Sequence, residues 1–223
     1  MNQLSDLDQL GNRYFGMRHG ESKANVAGLI VSRIETDRSG DYGLSDRGRL
    51  QAAEAARCCD LGAQTVIRSS DFARAWQTAQ IVRERLGAAE VVAAAELRER
   101  NFGELDGSPA TGYTRVWAAD RAADRADEGA DDGADAGVAS AARGPVPDGV
   151  EPVTAVLDRT VALITELERL HTGRDILLVS HGDTLAILAA GFLGVAPSQH
   201  RSVPAFGTAE IRPLRPRDDG TRP

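Results

Sequence analysis

The chain has 223 residues, 42% of them hydrophobic and 26% charged, with a net charge of −7. That length suits one domain, or one carrying a sizeable insertion, and allows a substantial buried core. The acidic balance and the lack of a basic stripe argue against a nucleic-acid partner, and no apolar run is long enough to span a membrane.

Residues 1–12 are polar and read as a flexible tail without the basic and apolar regions of an export signal, so a cytoplasmic location is expected. Tyr14-Phe15-Gly16-Met17 is a short apolar run that stops at Arg18-His19-Gly20, the pattern of a buried strand ending in a turn. Ser45 or Asp46 caps a predicted helix that runs to about Asp60 and stops at Gly62. Its expected inner face is Gly48, Ala52, Ala55, Ala56 and Cys59, small enough for close approach to a sheet. Adjacent Cys58 and Cys59 cannot build a disulfide framework and read as buried small apolar side chains in a reducing compartment. Thr65-Val66-Ile67 is a second strand. Asp71 then opens a helix whose Phe72, Ala75, Trp76, Ala79, Val82 and Leu86 share one face. Val91 to Ala94 suits a third strand.

Residues 118–148 break this rhythm, with eight acids against three arginines and hardly a large apolar side chain. Such a segment buries too little surface to offset its ordering entropy, so a mobile acidic insertion is expected, with a short helix near Ala119 to Arg125. Val153, Val156, Leu157, Val161, Ile164 and Leu167 then mark a long amphipathic helix. Ile176-Leu177-Leu178-Val179 has the unbroken apolar character of a central parallel strand. A helix follows from about Thr184 to Leu193, stopped by Gly194, and Ala209 to Arg212 reads as an edge strand. One domain over 13–214, followed by a tail at 215–223, accounts for the pattern. Strands alternating with helices imply an α/β three-layer sandwich with a mainly parallel sheet covered on both faces.

In such folds ligands sit beyond the carboxyl ends of the strands. Arg18-His19 follows the first strand, Ser69-Ser70-Asp71 with Arg74 the second, and Ser180-His181-Gly182 the central one. Three segments thus deliver histidine or arginine to one sheet edge. Arginine is 25 of the 26 basic residues, so only an arginine placed in this way counts as a ligand. The chemistry these groups support is phosphoryl transfer. A neutral imidazole attacks phosphorus, guanidinium groups match the equatorial oxygens, and a carboxylic acid protonates the departing alkoxide.

Five blocks in order carry a resemblance to a known family. They are Arg18-His19-Gly20-Glu21-Ser22 with Asn25; Leu44-Ser45 with Gly48 and Gln51-Ala52; Ser69-Ser70-Asp71 with Arg74-Ala75 and Thr78-Ala79; Leu97 to Gly107; and Val179-Ser180-His181-Gly182. The chain resembles the histidine phosphatase superfamily, also called phosphoglycerate mutase-like. The resemblance implies that fold, with His19 as nucleophile and Arg18, Arg74 and His181 as the phosphate pocket. It implies Glu99 as general acid and then base, Asn25 and the Gly182 N–H as further phosphoryl donors, and Ser22 as either a ligand or a shaper of the loop. Arg100 lies where mutases of the family bind a substrate carboxylate. A phosphatase acting on a small phosphorylated metabolite is expected, because the segment after Gly107 departs from the mutase pattern. A phosphoglycerate mutase is the alternative, and a non-catalytic phospholigand-binding protein a more distant one. No metal or organic cofactor is required, since arginines and histidines neutralise the charge. A monomer or homodimer is expected. His171 and His200 match no motif and read as ordinary surface residues.

Overall fold

The computed structural model describes residues 10–128 and 147–215. Among these, one sheet holds β1 (Arg13–Arg18), β2 (Val66–Ser69), β3 (Val91–Ala93), β4 (Asp175–Ser180) and β5 (Ile211–Pro213), ordered β3-β2-β4-β1-β5. All pairings are parallel except that of β5 with β1. The helices are α1 (Lys23–Ala27), α2 (Ile34–Ser39), α3 (Asp46–Cys58), α4 (Ala73–Leu86), α5 (Tyr113–Glu128), α6 (Val153–Leu170) and α7 (Gly182–Phe192).

β4 explains the layering. Successive strand residues face opposite sides of a sheet. Leu177 and Val179 therefore pack with Ala52 and Ala56 of α3 and Ala75, Ala79 and Val82 of α4. Ile176 and Leu178 pack with Val156, Ile164 and Leu167 of α6 and Leu185 and Leu188 of α7. Each such side chain, taken fully from water, contributes about 1.5–3 kcal/mol before entropic costs. The result is the expected α/β three-layer sandwich with a mainly parallel sheet.

The same topology makes the site. After β1 the chain crosses to β2 and β3, then returns so that β4 lies between β2 and β1. At this reversal the carboxyl ends of β1 and β4 adjoin, in the register Arg18 to Ser180. His19 N–H donates to Ser180 O (3.0 Å) and Ser70 N–H to Val179 O (2.9 Å), so the three turns are tied together beyond the sheet edge.

Several sequence expectations need correction. The acidic segment begins as structure: α5 runs unbroken from Tyr113 to Glu128, with Val116 and Asp120, four residues apart, buried on one face. Asp120 tolerates burial because Arg100 pairs with it, a long-range partner that composition does not reveal. Residues 129–146, where the rest of the mobile insertion was expected, lie outside the described residues, as do 1–9 and 216–223 of the tails. α3 ends at Cys58; Cys58 is exposed and Cys59 half-buried, because the chain leaves the helix in an extended conformation there. α4 begins at Ala73 rather than Asp71, whose carboxylate is held by Arg98 instead. α7 begins two residues early, at Gly182. Ala209 stands outside β5 in a left-handed turn, φ 58°.

Candidate active site

Arg18 ends β1, and His19 follows it in the turn, 3% exposed. The turn is held on both sides. Gly20 N–H donates to Thr78 Oγ1 (3.1 Å), whose hydroxyl donates to Arg74 O (2.7 Å). Across it, the His19 turn and the start of α3 touch backbone to backbone. A Cβ on Gly20 would lie 2.4 Å from Gly48 O, and one on Gly48 would lie 2.0 Å from Glu21 O. Both positions therefore require glycine. Ala209 closes the rear, its N–H donating to Arg18 O (3.0 Å) and His19 O (3.2 Å).

His19 Nδ1 lies 2.7 Å from Gly20 O, an acceptor only, so Nδ1 carries the proton and the Nε2 lone pair faces the site. Arg74 Nε donates to that Nε2 at 3.1 Å. Burial, then Arg74, then Arg18, hold the imidazole well below its ordinary pKa, so it is neutral. Arg74 is 4% exposed and is itself oriented: Nη2 donates to Val31 O (2.8 Å), Nη1 lies 3.5 Å from Asp37 Oδ1, and the guanidinium sits 4.9 Å from the Phe72 ring centre. Asp37 also accepts from Ala73 N–H (2.8 Å), which joins the start of α4 to α2.

His181 packs beside His19, with ring centres 5.2 Å apart, and its ring centre lies 5.1 Å from that of Phe72. His181 Nε2 is 2.9 Å from Ser70 Oγ, and Phe72 N–H donates to that same oxygen at 3.3 Å. In the tautomer with its proton on Nδ1, His181 Nε2 accepts from the Ser70 hydroxyl. Burial foremost, with Arg74, keeps His181 neutral. Its Nδ1 is buried without a partner, and so is Arg18 Nε, while Arg18 Nη1 donates to Phe206 O (3.0 Å). Unsatisfied buried donors are rare, and two beside one histidine mark where an anion binds. Gly182 opens α7 here, adding the favourable end of a helix dipole; a Cβ on it would lie 3.5 Å from the Arg18 guanidinium carbon.

Glu99 is the buried carboxyl group of this cluster. It is 8% exposed, and its Oε1 accepts from Arg100 N–H (3.0 Å), with Thr184 N and Oγ1 both at 3.4 Å. Burial, then repulsion from Asp183, push its pKa up against the opposing pull of Arg74. The loop that carries Glu99 is pinned to the end of β2 by the two-pronged Arg98–Asp71 pair (2.7 and 2.6 Å). Glu99 opens onto a cleft of about 790 Å³ whose walls include Ser32, Arg33, Asn101 and Glu151.

His19, Arg18, Arg74, Glu99, His181 and Gly182 therefore converge. Ser22 and Asn25 shape the loop: Ser22 Oγ accepts from Asn25 N (3.1 Å), and Asn25 Oδ1 accepts from Ser22 N and Oγ (both 3.0 Å), a reciprocal cap on α1. Arg100 is not a substrate ligand. It is 1% exposed, with Nη1 and Nη2 on the Asp120 carboxylate (2.7 and 2.9 Å), Nη1 also 3.3 Å from Asp183, and Nε on Glu151 O (2.7 Å). His200 is no surface residue either: it is fully buried, with Nε2 3.2 Å from Asp183 Oδ1. His171 is half-buried at the far side of the domain. Sequence reasoning missed Asp37, Asp120, Asp183 and Trp117, whose Nε1 donates to Asp183 (2.9 Å). Their partners lie 17 to 83 residues away, and only the position of Asp183 directly after His181-Gly182 offered a signal. Among the described residues no group of three or more His, Cys, Asp or Glu is arranged to hold a metal ion, and no helix is long and apolar enough to cross a membrane.

Comparison with known proteins agrees with this geometry. A profile of the histidine phosphatase superfamily (branch 1) matches residues 15–223. Glucosyl-3-phosphoglycerate phosphatase of Mycolicibacterium vanbaalenii is 31% identical over 193 residues, covering 80% of this chain and 73% of that protein. Phosphoglycerate mutase-like protein 4 of Arabidopsis thaliana is 27% identical over 173 residues, covering 77% and 67%. The solved structure of mycobacterial glucosyl-3-phosphoglycerate phosphatase complexed with VO3 superposes with a TM-score of 0.66 at 26% identity, covering 89% of this chain and 90% of that one.

Proposed function

Since the chain belongs to the histidine phosphatase superfamily, we propose that this phosphatase hydrolyses small phosphomonoesters by way of a phosphohistidine on His19. The observation that carries the reading is the pair of unpartnered buried donors, Arg18 Nε and His181 Nδ1, beside a neutral imidazole with its lone pair turned toward them.

An incoming phosphate dianion competes for Arg74 and draws its Nε–H from His19 Nε2, which frees the nucleophile where it is needed. The lone pair of Nε2 then forms a bond to phosphorus as the ester P–O bond breaks. The leaving alkoxide takes the proton of Glu99, which burial keeps on the carboxyl group. In the second half the Glu99 carboxylate accepts a proton from water, the hydroxide oxygen bonds to phosphorus, and the P–N electrons return to His19. Arg18, Arg74, His181 and the Gly182 N–H hold the charge throughout, so the reaction is metal-independent in this reading.

Hydrolysis is favoured over phosphate migration because Arg100, the candidate carboxylate clamp of a mutase, is committed to Asp120 and Asp183. The substrate is a small phosphorylated metabolite, with glucosyl-3-phosphoglycerate the first to test. Absence of a disulfide framework suits a cytoplasmic enzyme, as a monomer or homodimer. The decisive experiment is chemical trapping. Brief incubation with a phosphomonoester is expected to leave an acid-labile, alkali-stable phosphoryl group on the wild type and none on His19→Ala. Equal labelling of both proteins would refute the mechanism.

A further inference from the structure

Glu99 lies in neither helix nor strand; it follows the short 3₁₀ turn Ala95–Leu97, so no backbone ladder sets its conformation. Side chains do so instead, each taking one peptide carbonyl. Ser180 Oγ donates to Leu97 O (2.7 Å), Thr184 Oγ1 donates to Arg98 O (2.8 Å), and Arg159 Nη2 reaches Glu99 O at 3.5 Å. Ser180 and Thr184 are fully buried and flank His181-Gly182. The turn that carries His181 therefore also grips the loop that carries Glu99. Arg98 O belongs to the peptide that enters Glu99, so of the two hydroxyls that of Thr184 has the more direct hold on the carboxyl group.

Other helical threonines of this protein bond inward. Thr160 and Thr165, both on α6, donate to carbonyls of their own helix, at Val156 and Leu157 and at Val161. Thr184 instead spends its hydroxyl outside α7. Its N–H, in the first turn of α7, has no partner within the helix and lies 3.4 Å from Glu99 Oε1. The same oxygen accepts from Arg100 N–H at 3.0 Å, while Oε2 makes no hydrogen bond among the described residues. A protonated carboxyl group with two N–H donors on one oxygen carries its proton on the other.

We propose that Thr184 is a positioning residue for the general acid Glu99. Its hydroxyl fixes the Arg98–Glu99 peptide, and its N–H, with that of Arg100, holds Oε1. The acidic proton is then carried on Oε2, the oxygen left free to meet the ester oxygen. Thr184 acts through Glu99 rather than on the substrate, and it sets the acid relative to the phosphate pocket because both hang from the same turn. This role rests on the phosphatase reading above.

Thr184→Val keeps the branched shape and deletes the hydroxyl; Thr184→Ala deletes it with less bulk, and Thr184→Ser restores it. The quantity to compare is kcat/KM, which covers the steps up to the phosphohistidine. In those steps an alkyl phosphate needs the proton of the acid, whereas 4-nitrophenyl phosphate has a weakly basic leaving group and does not. Both hydroxyl-free variants are expected to lose ~10-fold or more on the alkyl phosphate and to stay within about twofold on 4-nitrophenyl phosphate. Thr184→Ser should follow the wild type on both esters. Added to Glu99→Gln, Thr184→Val should bring no further loss on the alkyl ester, since the proton it positions is already gone. Equal losses on the two esters, an undiminished alkyl rate, or a further loss in the Glu99→Gln background would each overturn the proposal. So would failure of both hydroxyl-free variants to fold, which would assign the hydroxyl to stability. Phosphohistidine trapping on the wild type separates the two readings. A labelled His19 with equal losses in Thr184→Val removes this role alone, whereas no label on the wild type removes both.

Discussion

Burial and two neighbouring cations act on His19 in one direction, against a positive charge, so the imidazole is neutral without a general base, as the proposed attack on phosphorus requires. Glu99 is pushed the opposite way: burial and Asp183 favour its protonated form, although Arg74 resists. The active form thus needs His19 deprotonated, which holds above a pKa well below 6.5, and Glu99 protonated, which holds below a pKa raised from 4.5. As pH rises through the Glu99 value, kcat for an alkyl phosphate is expected to fall. Glu99→Gln should lose about 100-fold or more on alkyl phosphates, less on 4-nitrophenyl phosphate, and should lack that descending limb. A limb of the same midpoint in Glu99→Gln would assign it to another group. Arg74→Lys keeps the charge but loses the planar fork that reaches His19, Val31 and the Asp37 side at once. It is expected to raise KM for phosphate esters at least ~10-fold; an unchanged KM in steady-state assays would contradict the role given to Arg74.

α5 shows how a helix of poor apolar content is held. Its inner face has Val116 and the buried Asp120, and the ion pair of Asp120 with Arg100 ties it to the acid loop. Removing one partner of a buried pair strands the other charge, at a cost of ~3–5 kcal/mol. Asp120→Ala should therefore lower the urea-unfolding free energy by that order, even though Asp183 still faces Arg100. A loss below about 0.5 kcal/mol would mean that packing alone seats the helix. The same reasoning identifies Asp37 as the element that couples α2 to α4, since one carboxylate serves both Ala73 N–H and Arg74.

Across the whole molecule, two buried neutral histidines make the fold sensitive to acid. His19 and His181 have folded pKa values well below 6.5, so between those values and 6.5 the unfolded chain binds more protons than the folded one. Stability then rises with pH across that window and is lost as pH falls through it. Glu99, raised from 4.5, and Asp37, raised from 3.8, work against this above those values, while His171, also lowered from 6.5, adds to it. Urea unfolding of the wild type at pH 5 and 6.5 should show the greater stability at 6.5, and His181→Gln should flatten the difference. An identical pH dependence in that variant would show that His181 is not the source. Core packing provides a separate test: Leu178→Ala, at a fully buried site on β4, is expected to cost ~2–5 kcal/mol.

Much of this protein was readable from local pattern. The apolar run at Ile176 to Val179, the amphipathic spacing from Val153 to Leu167 and the three polar turns after strands determined an α/β sandwich with chemistry at one sheet edge. The Arg18-His19-Gly20 turn, taken together with Arg74, Glu99 and His181 after other strands, pointed to phosphoryl transfer, because few arrangements combine a histidine, cations and an acid at one sheet edge. What the sequence could not determine were the partners of isolated charges. Arg100 had the position of a ligand, His200 the look of a surface residue and Asp120 that of a solvated acid, yet all three belong to the buried network around Asp183. Burial and pairing are properties of distant segments brought together. A charge alone in the sequence reads as exposed until the fold supplies both the low dielectric that penalises it and the counter-charge that permits it.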